Sequence, residues 1–411
     1  MSFPRYPKYK DSGVEWISEI PVHWKSIKGH SILREKYETN KGMVSNNLLS
    51  LSFGRIVRRD VNTNDGLLPE SFETYQVVDP GEIVFRPTDL QNDWNSLRSA
   101  IVTERGIITS AYIAVKPRDG SCWFLNYLFR AYDLAKVFYS MGGGLRQAFK
   151  FKDIGNLPLI FPPPSEQHAI ASFLDRETAK IDALIAEQRR LIELLDEQIK
   201  ASALCAFTNP DASEYRLEQV CQISSRPVVE EEGSLYTRLG LYNRGRGIFH
   251  KDPADPEDLG ESDFFWVKKG DLILSGQFAW EGAIAIAGAG EEGCVVSHRY
   301  PILRGIPSLA LTEFLFALLS TKHGDFLLNE HSRGAAGRNR PLNINSLLKE
   351  KIPIPKLQAQ SPVAEMFYRR SELLGAIAQQ TSLLQERRSA LISAAVTGQI
   401  DVRGLGPKEA A

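Results

Sequence analysis

Apolar and polar positions keep two rhythms along this chain, and each rhythm occurs twice. Leu174, Thr178, Ile181, Ile185, Gln188, Ile192, Leu195 and Ile199 recur alternately four and three residues apart. That is a heptad seam, which predicts a long helix packed edge-on against another. Near the C-terminus, Val363, Phe367, Leu374, Ile377, Leu384 and Leu391 keep the same register after Ser361-Pro362. The seams are wet at Thr178, Gln188, Arg370 and Arg388, and polar seam residues set register and partner choice at a cost in stability. Ser165 follows three prolines and precedes Glu166 and Gln167. It reads as the cap of the first helix, with an acid favouring the helix dipole. A helix of about 35 residues is roughly 50 Å long. Neither helix can expose such a stripe alone, so the two are expected to pair.

Ahead of each helix the rhythm is short: brief apolar runs bounded by glycine, proline and charge. "VVDPGEIVF" matches "WVKKGDLIL", with Gly81 and Gly270 as turn glycines before a buried strand. "IITSAYIAVKP" matches "CVVSHRYPILR", with Ser110 over Ser297. "NYLFRAYDL" and "TEFLFALLS" both read as core helices. "GGGLRQAFKFKDIGNLPLIFPPPSEQ" corresponds to "GAAGRNRPLNINSLLKEKIPIPKLQAQ", which sets Arg146 over Arg338 and Pro158 over Pro353. A repeat of this length points to a tandem duplication. The expected fold is α/β (α+β), with two globular domains at 1–155 and 209–345. Two long helices, at 156–208 and 346–411, form the spacer. A repeat folded about a pseudo-twofold axis makes those helices antiparallel.

Composition changes this picture little. The chain has 411 residues, enough for two or three domains, with 43% hydrophobic and 24% charged residues and a net charge of −1. Neutrality neither indicates nor excludes nucleic acid, because the clustering of basic residues decides. The four cysteines, Cys122, Cys205, Cys221 and Cys294, form no C-x-x-C pair. They are expected to be reduced and buried, in a cytoplasmic protein without a metal site. No apolar signal core opens the chain, and no run is long enough for a membrane helix. Catalytic motifs are also missing. "GAIAIAGAGEEG" shows no G-x-G-x-x-G in a strand–turn–helix unit, "TNPDA" lacks the second proline and aromatic of an adenine methyltransferase, and His168 reads as a solvated residue at a helix start.

Three stretches carry a family resemblance: "YKDSGVEWISEIPVHWKS", "PPPSEQHAIASFLDRETAKIDALIAEQRRLIELLDEQ" and "RRSALISAAVTGQIDVRG". In these the chain resembles the specificity subunit of type I restriction–modification systems. The resemblance implies two target-recognition domains separated by antiparallel spacer helices, each reading one half of a split, asymmetric DNA site. It implies double-stranded DNA, two methyltransferase subunits and restriction subunits as partners, and no membrane. It implies no cofactor in this chain, and S-adenosylmethionine, ATP and Mg for the partner subunits. One departure is visible: "ASALCAFTNPDAS" follows the first helix where "SAAVTGQID" ends the second. A stand-alone DNA-binding adaptor and a coiled-coil scaffold are the alternatives.

If the chain reads DNA, base edges call for Arg, Asn, Gln and aromatic side chains, and phosphates for further cations. In the first half the candidates are Arg55, Arg58, Arg59, Arg86, Asn92, Trp94, Asn95 and Arg98. In the second they are Tyr242, Asn243, Arg244, Arg246, Gln277, Trp280, His298 and Arg299. Arg55 and Arg244 fall in similar places in the repeat, as do Trp94 and Trp280. Two glycine-rich loops add Arg146 and Gln147, and Arg338 and Arg340, as a phosphate clamp.

Overall fold

A computed structural model describes residues 3–60, 71–90, 93–141, 148–229, 231–260, 262–334 and 340–405. Asn92, Arg146, Gln147 and Arg338 lie outside the described residues. By internal contact the chain divides into two units. Met1–Ile185 joins Gln380–Ala411 in the first, and Ala186–Gln379 forms the second.

The first unit opens with a hairpin, β1 (Tyr9–Val14) and β2 (Ile17–Pro21). Then come β3 (Lys25–Lys28), β4 (Leu33–Lys36), β5 (Leu49–Ser52), β6 (Arg55–Arg58), β7 (Gln76–Val78) and β8 (Ile83–Phe85). They are followed by β9 (Ser99–Ile101), β10 (Gly106–Ile108), β11 (Ile113–Pro117), α1 (Cys122–Leu134), α2 (Phe151–Asn156) and β12 (Pro158–Phe161). The long helix α3 spans Pro164–Phe207. Four strands pair in the order β4-β11-β8-β9, and β5–β6, β7–β10 and β3–β12 form two-stranded ladders, all antiparallel.

The second unit repeats this plan. It contains β13 (Ser213–Arg216), α4 (Leu217–Val220), β14 (Cys221–Ile223), β15 (Leu239–Leu241), β16 (Ile248–His250), α5 (Pro256–Leu259), β17 (Phe264–Trp266) and β18 (Leu272–Leu274). It continues with β19 (Ile284–Ile286), β20 (Val295–Ser297), β21 (Ile302–Gly305), α6 (Thr312–Leu319), α7 (Lys322–Glu330), α8 (Ile344–Leu348) and β22 (Lys351–Ile354). The second long helix, α9, spans Leu357–Val396. Its sheet order, β14-β21-β18-β19, and its ladders β15–β16, β17–β20 and β13–β22 match the first unit strand for strand. The duplication is therefore a duplication of fold, and its antiparallel sheets place it in the α+β class.

Local chemistry explains the matching. Gly81 and Gly270 have φ of +87° and +84°, where a side chain is strained. Both amides donate across to the next strand, Gly81 to Val102 and Gly270 to Ala287. β7 to β10 are three-residue strands buried along their whole length, as their unbroken apolar runs require. One alignment needs correction. Phe161 pairs with Lys25, and Ile354 with Ser213, at the starts of equivalent strands. Pro158 therefore corresponds to Lys351 and not to Pro353. Two prolines in similar apolar runs had suggested a register two residues out.

The helix starts also follow the repeat. α9 begins at Leu357, with Pro362 inside it, and not after Ser361-Pro362. Pro164 and Leu357 hold equivalent positions, and so do Gln167 and Gln360, both fully buried. Gln167 accepts from the Ser121 amide at 2.8 Å and donates to the Pro162 carbonyl at 2.9 Å. Gln360 accepts from Leu311 at 2.8 Å and donates to Leu309 and Pro355 at 2.9 and 2.7 Å. Each glutamine ties the first turn of a long helix to the segment that opens α1 or α6.

Both long helices serve both cores. Leu174 and Ile181 of α3, with Leu391, Ile392, Ala395 and Val396 of α9, close the first core around Trp24, Phe85, Phe124 and Phe129. Ile199 and Ala203, with Val363, close the second around Phe314, Leu318 and Leu328. Within each unit the helices run antiparallel. In the first, Arg388 Nη1 reaches Asp182 at 2.5 Å, while Arg176 near the start of α3 donates to Leu405 beyond the end of α9. In the second, Arg370 forks onto Asp196. The wet seam positions Arg370 and Arg388 are thus ion-paired. Leu174, Ile181, Ile199 and Leu391 are buried, and Ile185, Ile192, Leu195, Phe367, Ile377 and Leu384 are half-buried. Leu374 is 36% exposed, because a lone helix pair shields only one stripe.

The three stretches that carry the family resemblance meet in the first unit. Glu166, expected as a dipole acid, is buried and accepts from Tyr6 Oη at 2.9 Å and Trp24 Nε1 at 2.9 Å. His23 Nε2 lies 2.7 Å from its other oxygen. Tyr9 Oη donates to Gly398 at 3.0 Å, and the Asp401 amide donates to Pro4 at 2.8 Å. All four cysteines are free. Cys221 and Cys294 are buried as expected, Cys122 is half-buried, and Cys205 stands exposed on α3. Among the described residues no helix is long and apolar enough to cross a membrane.

Candidate nucleic-acid interface

Each unit carries the same two grooves, placed between equivalent elements of the fold. The first groove lies under the tip of the small hairpin. In the first unit it is lined by Gly54, Arg55, Ile101, Tyr127, Arg130 and Arg388. In the second, Arg244, Gly245, Trp280, Phe316, Lys200 and Arg370 line it. Both hairpin tips are pinned down. Phe53 and Gly54 have positive φ, and the buried Arg130 guanidinium donates to the Gly54 carbonyl. Burial lowers the pKa of Arg130 below the ordinary arginine value. Arg244 and Gly245 also have positive φ, and their amides donate to Glu281 and Gly282 at 2.8 and 2.7 Å.

The second groove opens between three loops. Pro87 and Thr88 leave β8, Ser110 to Ile113 join β10 to β11, and Ala148 to Phe151 lead into α2. In the second unit the same places are held by Gly276 and Gln277, by His298, Arg299 and Pro301, and by Pro341, Leu342 and Ile344. The first unit adds His30, Tyr37, Lys150 and Lys152 to its walls, against one acid, Glu35. In the second unit this groove has no acid in its lining among the described residues. The glycine-rich segments at 142–147 and 335–339 lie outside the described residues.

Comparison with known proteins gives the arrangement a context. No family model matches the chain. A curated relative, the type I restriction enzyme MjaVIII specificity subunit of Methanocaldococcus jannaschii, is 22% identical over 356 residues. The match covers 79% of this chain and 82% of that protein. The chain is thus similar in sequence to a type I specificity subunit. A solved chain from a study of type I restriction–modification assembly and conformational transition shares the fold, with a TM-score of 0.51 and 17% identity. That likeness covers 93% of this chain and 99% of the solved one. The HsdS subunit from Thermoanaerobacter tengcongensis is more distant, at a TM-score of 0.44 and 16% identity over 93% of this chain and 98% of that one.

The candidate residues separate into groups. Gln277, His298 and Arg299 come together in the second groove, all exposed. Arg55 and Arg244 occupy equivalent hairpin tips, and Arg55 pairs with Asp182 at 3.1 Å. Arg58 chelates Glu104 at 2.5–2.9 Å, and Arg59 is exposed at the foot of the same hairpin. Asn243 is tied to Glu281, and Arg246 lies over the exposed Tyr242 ring, 5.4 Å from its centroid. Trp94 and Trp280 sit in equivalent loops. Trp94 is exposed and stacks on Tyr139 at 4.9 Å, while Trp280 lies beneath Arg340, 4.8 Å from its guanidinium.

Arg98 needs correction as a DNA contact, because it is fully buried. Its guanidinium donates to the Thr88 carbonyl at 2.6 Å, to Asp89 at 3.0 Å and to Asp93, and shapes the loop from within. Arg86 pairs with Asp89 at 3.0 Å, and Asn95 is exposed in that loop. His30, Tyr37, Tyr112 and Lys152, which no sequence motif singled out, also line the loop groove of the first unit. The alternation of lysine and phenylalanine in "FKFKD" was the available signal, since it turns one set of side chains inward and the other outward.

Proposed function

We infer that this chain is the DNA-sequence specificity subunit of a type I restriction–modification complex. Each unit reads one half of a bipartite, asymmetric site in double-stranded DNA. The long helices carry the two methyltransferase subunits, and restriction subunits join the complete assembly. The observation that carries this reading is the loop groove, repeated on one frame but lined by different side chains. Such a pair suits two readers of different sequences, since base readout depends on exposed donors and acceptors at fixed positions. The sequence similarity to a named specificity subunit supports it.

On this reading the chain is a non-catalytic, cytoplasmic adaptor. S-adenosylmethionine, ATP and Mg act on the partner subunits, and the chain needs no cofactor of its own. The test is to co-express the chain with its methyltransferase and map methylated adenines genome-wide. A two-part motif with an unspecified gap is expected, and a continuous motif would overturn the reading. Titration calorimetry of the isolated chain with S-adenosylmethionine is expected to show no binding. Stoichiometric binding would overturn the adaptor role.

A further inference from the structure

We propose that Arg299 and Gln277 are the sequence-reading pair of the second unit, with Arg299 on a guanine and Gln277 on an adenine of the same half-site. The proposal rests on the reading of the chain as a specificity subunit.

The backbone holds the two residues side by side. The Tyr300 amide donates to Ser297 at 2.9 Å and closes a turn with His298 and Arg299 at its centre. The Gly276 amide donates to the Arg299 carbonyl at 2.7 Å, and the Leu342 amide donates to Gly276 at 2.8 Å. A Cβ at Gly276 would stand 2.5 Å from the Arg299 carbonyl oxygen, so this approach requires glycine. Three loops are thereby locked together directly beneath the two side chains.

Both side chains are exposed and line the groove. Neither makes a hydrogen bond or ion pair through its side chain among the described residues. This sets them apart from Asn243 on Glu281, and from Arg340 over Trp280. A guanidinium offers a planar fork of donors that fits guanine O6 and N7. A carboxamide offers one donor and one acceptor, which fits adenine N6 and N7. A fixed backbone under unpaired side chains keeps their full hydrogen-bonding capacity for a ligand at low ordering cost. The equivalent positions in the first unit are Thr88 and Ala111, which cannot form either fork. The first half-site must therefore be read by different groups.

The test uses the complete chain assembled with its methyltransferase. Methylation rates are measured on a duplex library that varies each specified base pair in turn. For Arg299→Ala, discrimination at one guanine of one half-site should fall roughly ten- to a hundredfold. Gln277→Ala should relax one adenine of the same half-site, and the other half-site should keep its preference. Lys322→Ala, at an exposed position of α7 that lines neither groove, should leave the recognised sequence unchanged. A thermal melt of each variant controls for folding. Uniform weakening on all sequences would make Arg299 a phosphate contact and overturn the proposal. Relaxation by Arg244→Ala in place of Arg299→Ala would also overturn it. A wild-type complex without any bipartite preference would instead defeat the functional reading itself.

Discussion

Replacing Gln360 with alanine should weaken the second unit by about 3 kcal/mol. The side chain is fully buried and satisfies three backbone groups. Alanine leaves the Leu311 amide with no acceptor, and an unsatisfied buried donor costs about 1–3 kcal/mol. The Leu309 and Pro355 carbonyls lose a donor as well, and the emptied volume adds a further packing loss of about 1 kcal/mol. Hydrogen exchange of the full chain gives the local readout. A loss of about 3 kcal/mol makes the Leu311 amide exchange roughly a hundredfold faster, since 1.4 kcal/mol is a factor of ten. Gln360→Glu is the sharper variant. It keeps the acceptor but turns a carboxylate oxygen toward two carbonyls, so at neutral pH it should lose at least as much as alanine. Gln167→Ala should cost somewhat less in the first unit, because Gln167 donates to one carbonyl where Gln360 donates to two. A change below about 0.5 kcal/mol at Gln360, or a glutamate variant as stable as wild type, would refute the reasoning.

Arg98→Ala should destabilise the first unit by about 3–5 kcal/mol, because it strands the carbonyls of Thr88, Asp89 and Asp93 and empties a fully buried site. Urea unfolding followed by tryptophan fluorescence, with Trp94 stacked nearby, measures the loss, and Arg98→Lys should not restore it. Asp133 is held by burial at a pKa of about 6, above the ordinary aspartate value. Protonated Asp133 is thus favoured by folding, and that stability fades as pH rises from about 4 to about 6. Asp133→Asn should therefore gain on wild type above pH 6, and the gap should close below pH 4 in urea titrations at each pH. Gly276→Ala should lower stability by about 1–3 kcal/mol in a thermal melt, through its clash with the Arg299 carbonyl.

The frame was more legible than the surface. Heptad spacing marked both long helices, and Gly81 and Gly270 marked the same strained turn twice, because periodicity and positive φ are local properties. The start of α9 was misread at Ser361-Pro362, since proline usually ends or opens a helix. The tertiary anchor at Gln360 fixes that start, and no local pattern announces it. Arg98 sits in a run of polar residues that resembles any exposed loop. Its burial depends on carbonyls that the fold turns inward, which residue type does not reveal. Gln277, His298 and Arg299 could be named from chemistry, but their meeting required the contact between Gly276 and Arg299. Lys150 and Lys152 reach the corresponding wall by the repeat alone.

The interleaving of the two units has a consequence for synthesis. The second unit is one uninterrupted stretch, Ala186–Gln379, whereas the first is split around it. The first core, with Trp24 buried in it, gains its last layer from Leu391, Ile392, Ala395 and Val396. A ribosome adding about 5–20 residues per second needs roughly 10–40 s to make the intervening stretch. Throughout that interval the half made first waits with an aromatic core lacking its last layer, while the half made second can finish. Folding order is thus the reverse of chain order, and the earliest residues to emerge depend longest on protection from aggregation.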